Sequence, residues 1–421
     1  MFVMGFEYVL KTSMREVDCT PYRIIVEHPY VKRLKNAEQT SMVKLEYLGS
    51  THTRLDHTGM VHHFTNEITG HLRRKGCIDS RERENLKISA LLHDTGHPPY
   101  SHAAEFVLEA LENSIDIKYN HKVRAVELIE SNKKDRKGRT LKQCIEGCGG
   151  DVEVIEKIIL KQHPLSPVIS HKTLGADVTA YTLQDSNRTN FTRPEMSFYL
   201  DLFRKYYFDG ETLGLEDGEK IPHVKSNQTF YQDMYTDVYF HARVRYFVRQ
   251  FEKALQIAIE NDMISQKKVW SIEQFELDHL LNKNPKTKCL FRKIQNEEMG
   301  EQVFSMGYET GKEEEMRRVA EFCSNPLNNS KIEREIAAKT GCKPDQISCV
   351  LTVIPHYIIP EDVYIFSLGQ SIFERSPSHY QSLVDNAKLY TRVGIFRDSP
   401  KIKLDERICE EILLEKALKE K

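Results

Sequence analysis

Apolar positions in the first two thirds of the chain recur with the period of a helix. Met60, Val61, Phe64, Ile68 and Leu72 share one face. They predict a helix that stops at Gly76, just after the basic pair Arg73–Arg74. Ile88, Leu91 and Leu92 mark a second helix, ending near Gly96 ahead of Pro98 and Pro99. The period resumes over 101–111, 121–129 and 152–160. Residues 231–261 read as one long helix with aromatics crowded into its first half. The charged, glycine-containing segment 133–150 reads as a surface excursion, and 210–218 as a loop. Beyond about Ser271 the texture changes. Segments 350–354, 363–366 and 389–396 read as short strands, and 404–418 as a closing helix. The run 312–318 reads as a solvated helix face. The pattern predicts a mainly α chain: a helical core over 1–265, then a smaller C-terminal α+β lobe over 266–421 that serves regulation or oligomerisation.

Composition narrows the function classes. At roughly 100–200 residues per domain, 421 residues leave room for more than one domain. Sixty Lys and Arg against 62 Asp and Glu give a net charge of −2. That excludes a basic field over the whole molecule, so nucleic acid is not a required partner, but a local basic pocket is still open. Nine cysteines are scattered between Cys19 and Cys409, and only Cys144 and Cys148 lie close together. They read as reduced thiols of a cytoplasmic protein. No basic segment precedes the apolar stretch 1–10, so no secretory signal is expected. No run reaches the roughly 20 apolar residues of a membrane helix, so no membrane partner is expected.

Histidine changes the picture. Eight of the 17 fall between His52 and His102. His57 shares a face with Val61, Phe64 and Ile68, so its side chain should point inward. His93 and Asp94 follow Ile88, Leu91 and Leu92 at the end of an apolar helix. A lone inward histidine is more often a packed core residue. A His–Asp pair at a buried helix end needs a partner charge or a metal, and His57, His93 and Asp94 together favour the metal. A further anionic ligand is then needed. Asp177, Tyr181 and Asp185 stand at i, i+4 and i+8 on one helix face, which could equally be a solvated face. A mixed nitrogen and oxygen set suits iron, manganese or zinc, and also magnesium.

The most specific stretch is His93-Asp94-Thr95-Gly96-His97-Pro98-Pro99-Tyr100-Ser101-His102. With His57 and Asp177 it resembles the H…HD…D signature of the HD-domain phosphohydrolases. Its extended form, HDxGHxPxxH, resembles the deoxynucleoside triphosphate triphosphohydrolases. These include the bacterial dGTPases and the metazoan enzyme with a sterile-alpha-motif domain. Arg54-Leu55-Asp56-His57 and the Asp177, Tyr181, Asp185 helix are similar to two more family motifs, in the family's order. The first motif begins at Arg54, so no sterile-alpha-motif domain is expected ahead of it.

The resemblance implies an HD-domain helical core and one divalent ion, Mn, Mg, Fe or Zn, held by His57, His93, Asp94 and Asp177. It implies that His102 and His121 act near the scissile phosphate, that Glu105 orients one of them, and that His97 faces the phosphates. Arg54 would bind a phosphate, Tyr181 and Asp185 the sugar, and Tyr239 and His241 would complete the pocket. For Tyr239 and His241, a packed aromatic helix face is the other reading. The implied reaction is hydrolysis of a deoxynucleoside triphosphate to deoxynucleoside and triphosphate. An HD-type nucleotidase or phosphodiesterase, acting on monophosphates, cyclic nucleotides or nucleic-acid ends, is the alternative. An activating nucleotide and a homo-oligomer, dimer or tetramer, are implied partners. Two family cations have no counterpart here. Val178 stands where the metazoan enzyme has a lysine, and no arginine matches near Tyr231.

Overall fold

The computed structural model describes residues 8–112, 119–191, 194–353 and 355–419. Residues 1–7 of the N-terminal apolar stretch and Ile354, at the end of the first predicted C-terminal strand, lie outside them. The helical body is built around Arg54–Arg74. Thr53 caps that helix, its hydroxyl accepting the Asp56 N–H at 3.3 Å. Met60, Val61, Phe64, Ile68 and Leu72 are all fully buried. Gly76 ends the turn with φ +74°, a left-handed conformation open to glycine at little cost. Asp79 then opens Ser80–Leu92 through a reciprocal capping box with Glu82. Ala176–Thr189 packs against the first of these helices. Fixing three helices against one another in this way holds the ends that carry His57, His93 and Asp177.

The chain is mainly helical, with a smaller α+β region toward its C-terminus. In that region Arg392–Arg397 is the central strand, antiparallel to Glu301–Gly307 on one side and Ile347–Leu351 on the other. Helices Glu313–Cys323, Pro326–Thr340 and Glu406–Lys419 bury Met316, Ile336 and Ile412 with it. One apolar cluster also joins Met42, Phe251, Leu277 and Phe396, so body and lobe share a core.

Five local readings need correction. Segment 133–150 is not only a surface excursion. It contains the helix Leu141–Gly147, whose Leu141, Cys144 and Ile145 are fully buried. The surrounding charges conceal that short apolar triad. Within 210–218, Leu213–Leu215 is a buried strand antiparallel to Tyr206–Phe208. Tyr364–Ile365 then pairs in parallel with it, Leu215 opposite Ile365. The strand predicted at 363–366 therefore joins the helical body and not the C-terminal sheet. The long helix predicted at 231–261 is two helices. Ile221–Asp233 runs into a wider π-helical stretch, Met234–Tyr239, breaks at His241 with ψ 135°, and restarts as Ala242–Glu260. Finally, the last strand starts at Arg392, because Pro377–Tyr390 is helical. Among the described residues no helix is long and apolar enough to cross a membrane.

Candidate metal centre and active site

His57, His93 and Asp177 converge from three helices. His57 Nε2 lies 3.1 Å from Asp177 Oδ1, and His93 Nε2 lies 3.7 Å from the same oxygen. Each of the three offers one ligand atom, all within 4.8 Å of one another. Asp94 closes the cup, with Oδ1 3.3 Å from His93 Nε2 and Oδ2 3.7 Å from His57 Nε2. His93 follows the last turn of Ser80–Leu92, and its Nδ1–H donates to the Ala90 carbonyl at 2.9 Å. That bond fixes the ring and turns Nε2 toward the carboxylates.

The electrostatics tie the two carboxylates to the imidazoles and to Arg54. Burial would depress His93, but Asp94 and Asp177 push it up to about 9. Burial likewise opposes ionisation of Asp177, yet the His57 hydrogen bond and the adjoining His93 imidazole hold it well below the usual carboxylate range. Asp94 is held well below its ordinary value by His93 and Arg54, against the effect of its own burial. Two imidazole nitrogens and two carboxylates around one point form a donor set that fits a divalent transition ion or magnesium. Arg54 is 3% exposed and is engaged with this cup. It donates to Asp94, and its Nε donates to Ser101 Oγ at 2.8 Å.

The turn after Asp94 brings a second group beside the first. Gly96 is required there. A Cβ at that position would lie 1.9 Å from the His121 carbonyl oxygen and 2.6 Å from the Ala125 nitrogen. That approach stacks the His97 and His121 rings at 3.9 Å. Tyr100 and Ser101 both adopt positive φ, 61° and 51°, a strain common at functional turns. Arg33 ties the turn down by donating to the Thr95 and His97 carbonyls at 2.7 and 2.6 Å.

Glu105 is the hub of this second group. Its Oε2 lies 2.7 Å from His102 Nδ1, and its Oε1 lies 2.9 Å from His121 Nδ1. Oε1 also accepts the His121 backbone N–H at 2.7 Å. Burial would raise Glu105, but His121 and His97 hold it well below its usual value. Burial lowers His121, partly offset by Glu105. Burial and the Arg54 charge push His97 down much further. The His102 side chain is 63% exposed and that of His121 is 16% exposed, so the pair spans the mouth and floor of the site.

The HD domain family matches residues 54–184, and the HD associated region matches residues 232–357. The chain carries an HD domain.

Sequence relatives are short matches. An HD domain-containing protein of Acanthamoeba polyphaga mimivirus is 27% identical over 121 residues, 25% of this chain and 24% of that protein. An uncharacterised protein of Methanocaldococcus jannaschii is 33% identical over 81 residues, 19% of this chain and 16% of its own length. A third, from Mycoplasma pneumoniae, is 25% identical over 168 residues, 38% of each. The chain thus spans well under half the length of these curated relatives. Solved structures agree in fold over far more of it. A phosphohydrolase from Bacteroides thetaiotaomicron superimposes with a TM-score of 0.68 at 16% identity, covering 93% of this chain and all of the other. A hypothetical protein from Aquifex aeolicus gives 0.67 at 18% identity, covering 97% and 100%.

Beyond the cup, the HD domain's last helix packs against an aromatic cluster. Asp185 lies two turns below Asp177 and is 2% exposed. Tyr239 donates to its Oδ2 at 2.6 Å, and His52 Nε2 lies 2.8 Å from its Oδ1. Tyr181 meets Tyr235, hydroxyl to hydroxyl at 3.3 Å, and its ring stands edge-on to Tyr239 at 6.1 Å. Burial raises Tyr181, Tyr235 and Tyr239, so all three stay neutral phenols. His241 does not join them. It follows the π-helical stretch and faces Glu46 at 3.9 Å and the Tyr47 ring.

Several residues here escape sequence reasoning. His52 and Tyr235 are brought in by tertiary packing alone. Lys122 follows His121 in the first turn of His121–Ile129, and the charges of Lys161, Asp177 and Glu105 act on its ammonium. Burial and Lys161 pull it down to about 8. One signal was legible. A lysine in a helix's first turn opposes the helix dipole, so it needs a reason to be there.

Proposed function

We propose that this protein hydrolyses deoxynucleoside triphosphates to deoxynucleoside and triphosphate, using a divalent ion held by His57, His93, Asp94 and Asp177. The observation that carries the proposal is the position of Glu105. It grips two histidines through separate oxygens, directly beside a cup of two imidazoles and two carboxylates. His57, His93, Asp94 and Asp177 would hold a divalent ion, which when bound would polarise a phosphoryl oxygen and lower the pKa of bound water. The chain's own residues do the rest. One histidine of the Glu105 pair takes a proton from the attacking water as its oxygen bonds to the α-phosphorus. The bond from phosphorus to the 5′-oxygen breaks, and the other histidine protonates that oxygen. His97 lines the same floor, and Arg54 holds Asp94 in place. Tyr181, Tyr239 and Asp185 form the sugar end. There a buried carboxylate, already holding Tyr239, accepts from a sugar hydroxyl.

The second reading is an HD-type nucleotidase or phosphodiesterase. Val178, apolar and 5% exposed, favours it, because the resembling triphosphohydrolase places a lysine there. Product analysis separates the two. The protein is incubated with each of the four dNTPs, alone and mixed, with magnesium, manganese or cobalt and with added GTP, and products are resolved by ion exchange. Free triphosphate supports the first reading, and orthophosphate or a monophosphate product supports the second. No cleavage of any dNTP overturns the first. A homo-oligomer, an activating nucleotide and a cytoplasmic setting belong to the same proposal. Sizing with and without GTP tests the first two.

A further inference from the structure

We propose that Asp278, in the HD associated region, is a positioning residue of the HD site. Through the Tyr100 hydroxyl it holds the strained turn from which both the metal cup and the Glu105 histidines are set. For turnover this inference rests on the proposed function, but its effect on the cup can be read without any substrate. Asp278 lies on the helix Gln274–Lys283, within the span that the HD associated region matches. Leu277 and Leu281 of that helix are fully buried and seat it in the core shared by body and lobe. Beside them Asp278 Oδ1 accepts a hydrogen bond from the Tyr100 hydroxyl at 2.7 Å, across 178 positions of chain. The Tyr100 ring packs on Phe251 with centroids 4.2 Å apart, which aims the hydroxyl. Lys44, a cation acting on Asp278, is itself paired with Glu38 at 2.5 Å. Burial pushes the Asp278 carboxyl up to about 6, and the Tyr100 hydrogen bond pulls the other way. A phenylalanine facing an alanine would fill this place without burying either polar group. Packing therefore does not call for the pair.

What the bond holds is the turn. Tyr100 and Ser101 both have positive φ, and Ser101 combines φ 51° with ψ −124°, outside the left-handed helical well. Two such residues in succession persist where the surroundings over-determine them. Both halves of the site are set from this dipeptide. On one side Ser101 Oγ accepts from Arg54 Nε at 2.8 Å, and Arg54 donates to Asp94 of the cup. On the other, the Ser101 carbonyl accepts the Ala104 N–H at 3.1 Å and the Glu105 N–H at 3.0 Å, opening the helix His102–Leu111. His102 and Glu105 ride on that first turn. Arg33 holds the upstream part of the motif, at the Thr95 and His97 carbonyls. Asp278 holds the downstream part, and so ties the associated region to both halves of the site.

The test is a double-mutant cycle on the whole protein, with manganese as the probe of the cup and dNTP turnover as the second readout. Tyr100→Phe removes the hydroxyl and leaves the ring on Phe251. Asp278→Ala removes the acceptor, and Asp278→Asn keeps an acceptor oxygen. Tyr100→Phe and Asp278→Ala should each weaken manganese binding, read by calorimetry, by about threefold to tenfold. The double variant should lose no more than either alone, and Asp278→Asn should recover most of the loss. In turnover the same two variants should lower kcat by about tenfold, again without adding, while KM stays within about twofold. A merely structural pair would lower the urea midpoint and leave manganese affinity and kcat of the folded protein at wild-type values. That result overturns the inference, as do losses that add in the double variant. Coupled losses of manganese affinity without any dNTP cleavage sink the proposed reaction and leave the positioning role standing. Triphosphate release with unaltered variants does the reverse.

Discussion

Two clusters of buried charge in this molecule solve the same problem in opposite ways. Arg249 and Glu333 join Ala242–Glu260 to Pro326–Thr340 and are 2% and 1% exposed. Arg249 Nε and Nη2 each donate to a different Glu333 oxygen at 2.9 Å, and Nη2 also reaches Ser330 at 2.8 Å. Glu333 further accepts the Cys349 N–H, and Lys253 Nζ donates to the Ile347 carbonyl at 2.6 Å. None of these side chains leaves a buried polar atom without a partner. At the HD cup, by contrast, His93 Nε2 is buried and, among the described residues, makes no well-formed hydrogen bond, with Asp94 Oδ1 at 3.3 Å and Asp177 Oδ1 at 3.7 Å. A buried network that exists for structure is complete in itself, whereas one that exists for function keeps atoms aimed at something else.

The comparison breaks if the two clusters respond alike to mutation. The largest contrast should come from Asp177→Asn, which removes a ligand charge at a partly exposed position. Dntp turnover should fall about a thousandfold or more, with the urea midpoint nearly unchanged. Glu333→Ala should do the opposite. It strands the Arg249 charge and should cost about 3–5 kcal/mol of stability in urea titration. The folded fraction should keep its metal content. Next is His102→Gln, which should lower kcat by about a hundredfold or more at unchanged metal content. Equal loss of metal in that variant would mean that the Glu105 group binds an ion. A smaller effect is expected at Glu156, where burial and Glu130 raise the carboxyl to about 7. A carboxyl raised in the folded state carries no penalty below its unfolded value. The penalty grows as pH climbs through that value and is complete above 7. Glu156→Gln should therefore stabilise the protein at pH 8 and do little at pH 4, read as a melting temperature at each pH.

The sequence made the cup legible because its ligands announce themselves locally. His93 and Asp94 interrupt an apolar helix end, and His57 sits on an apolar face. Gly96 sits in the same motif, and the fold shows why, since only a missing Cβ admits the His121 carbonyl. The rest depends on tertiary packing. Nothing local links Tyr100 with Asp278, or His52 with Asp185. The aromatic run at 231–239 suggests a continuous helix. It is instead a π-helical stretch that turns Tyr235 and Tyr239 onto the Asp177 helix, a widening that recurs at functional sites. Short buried elements such as Leu213–Leu215 are lost among turn residues because three positions hold too little periodicity.

The most direct test of the central claim is thermal unfolding with and without manganese, for wild type and for Asp177→Asn. A ligand that binds only the folded state adds about 2.7 kcal/mol when present at a hundred times its dissociation constant. If the HD cup is completed by a divalent ion, manganese should raise the melting temperature of wild type, a chelator should reverse the rise, and Asp177→Asn should show almost none. An equal rise in both proteins, or none in either, would contradict the account.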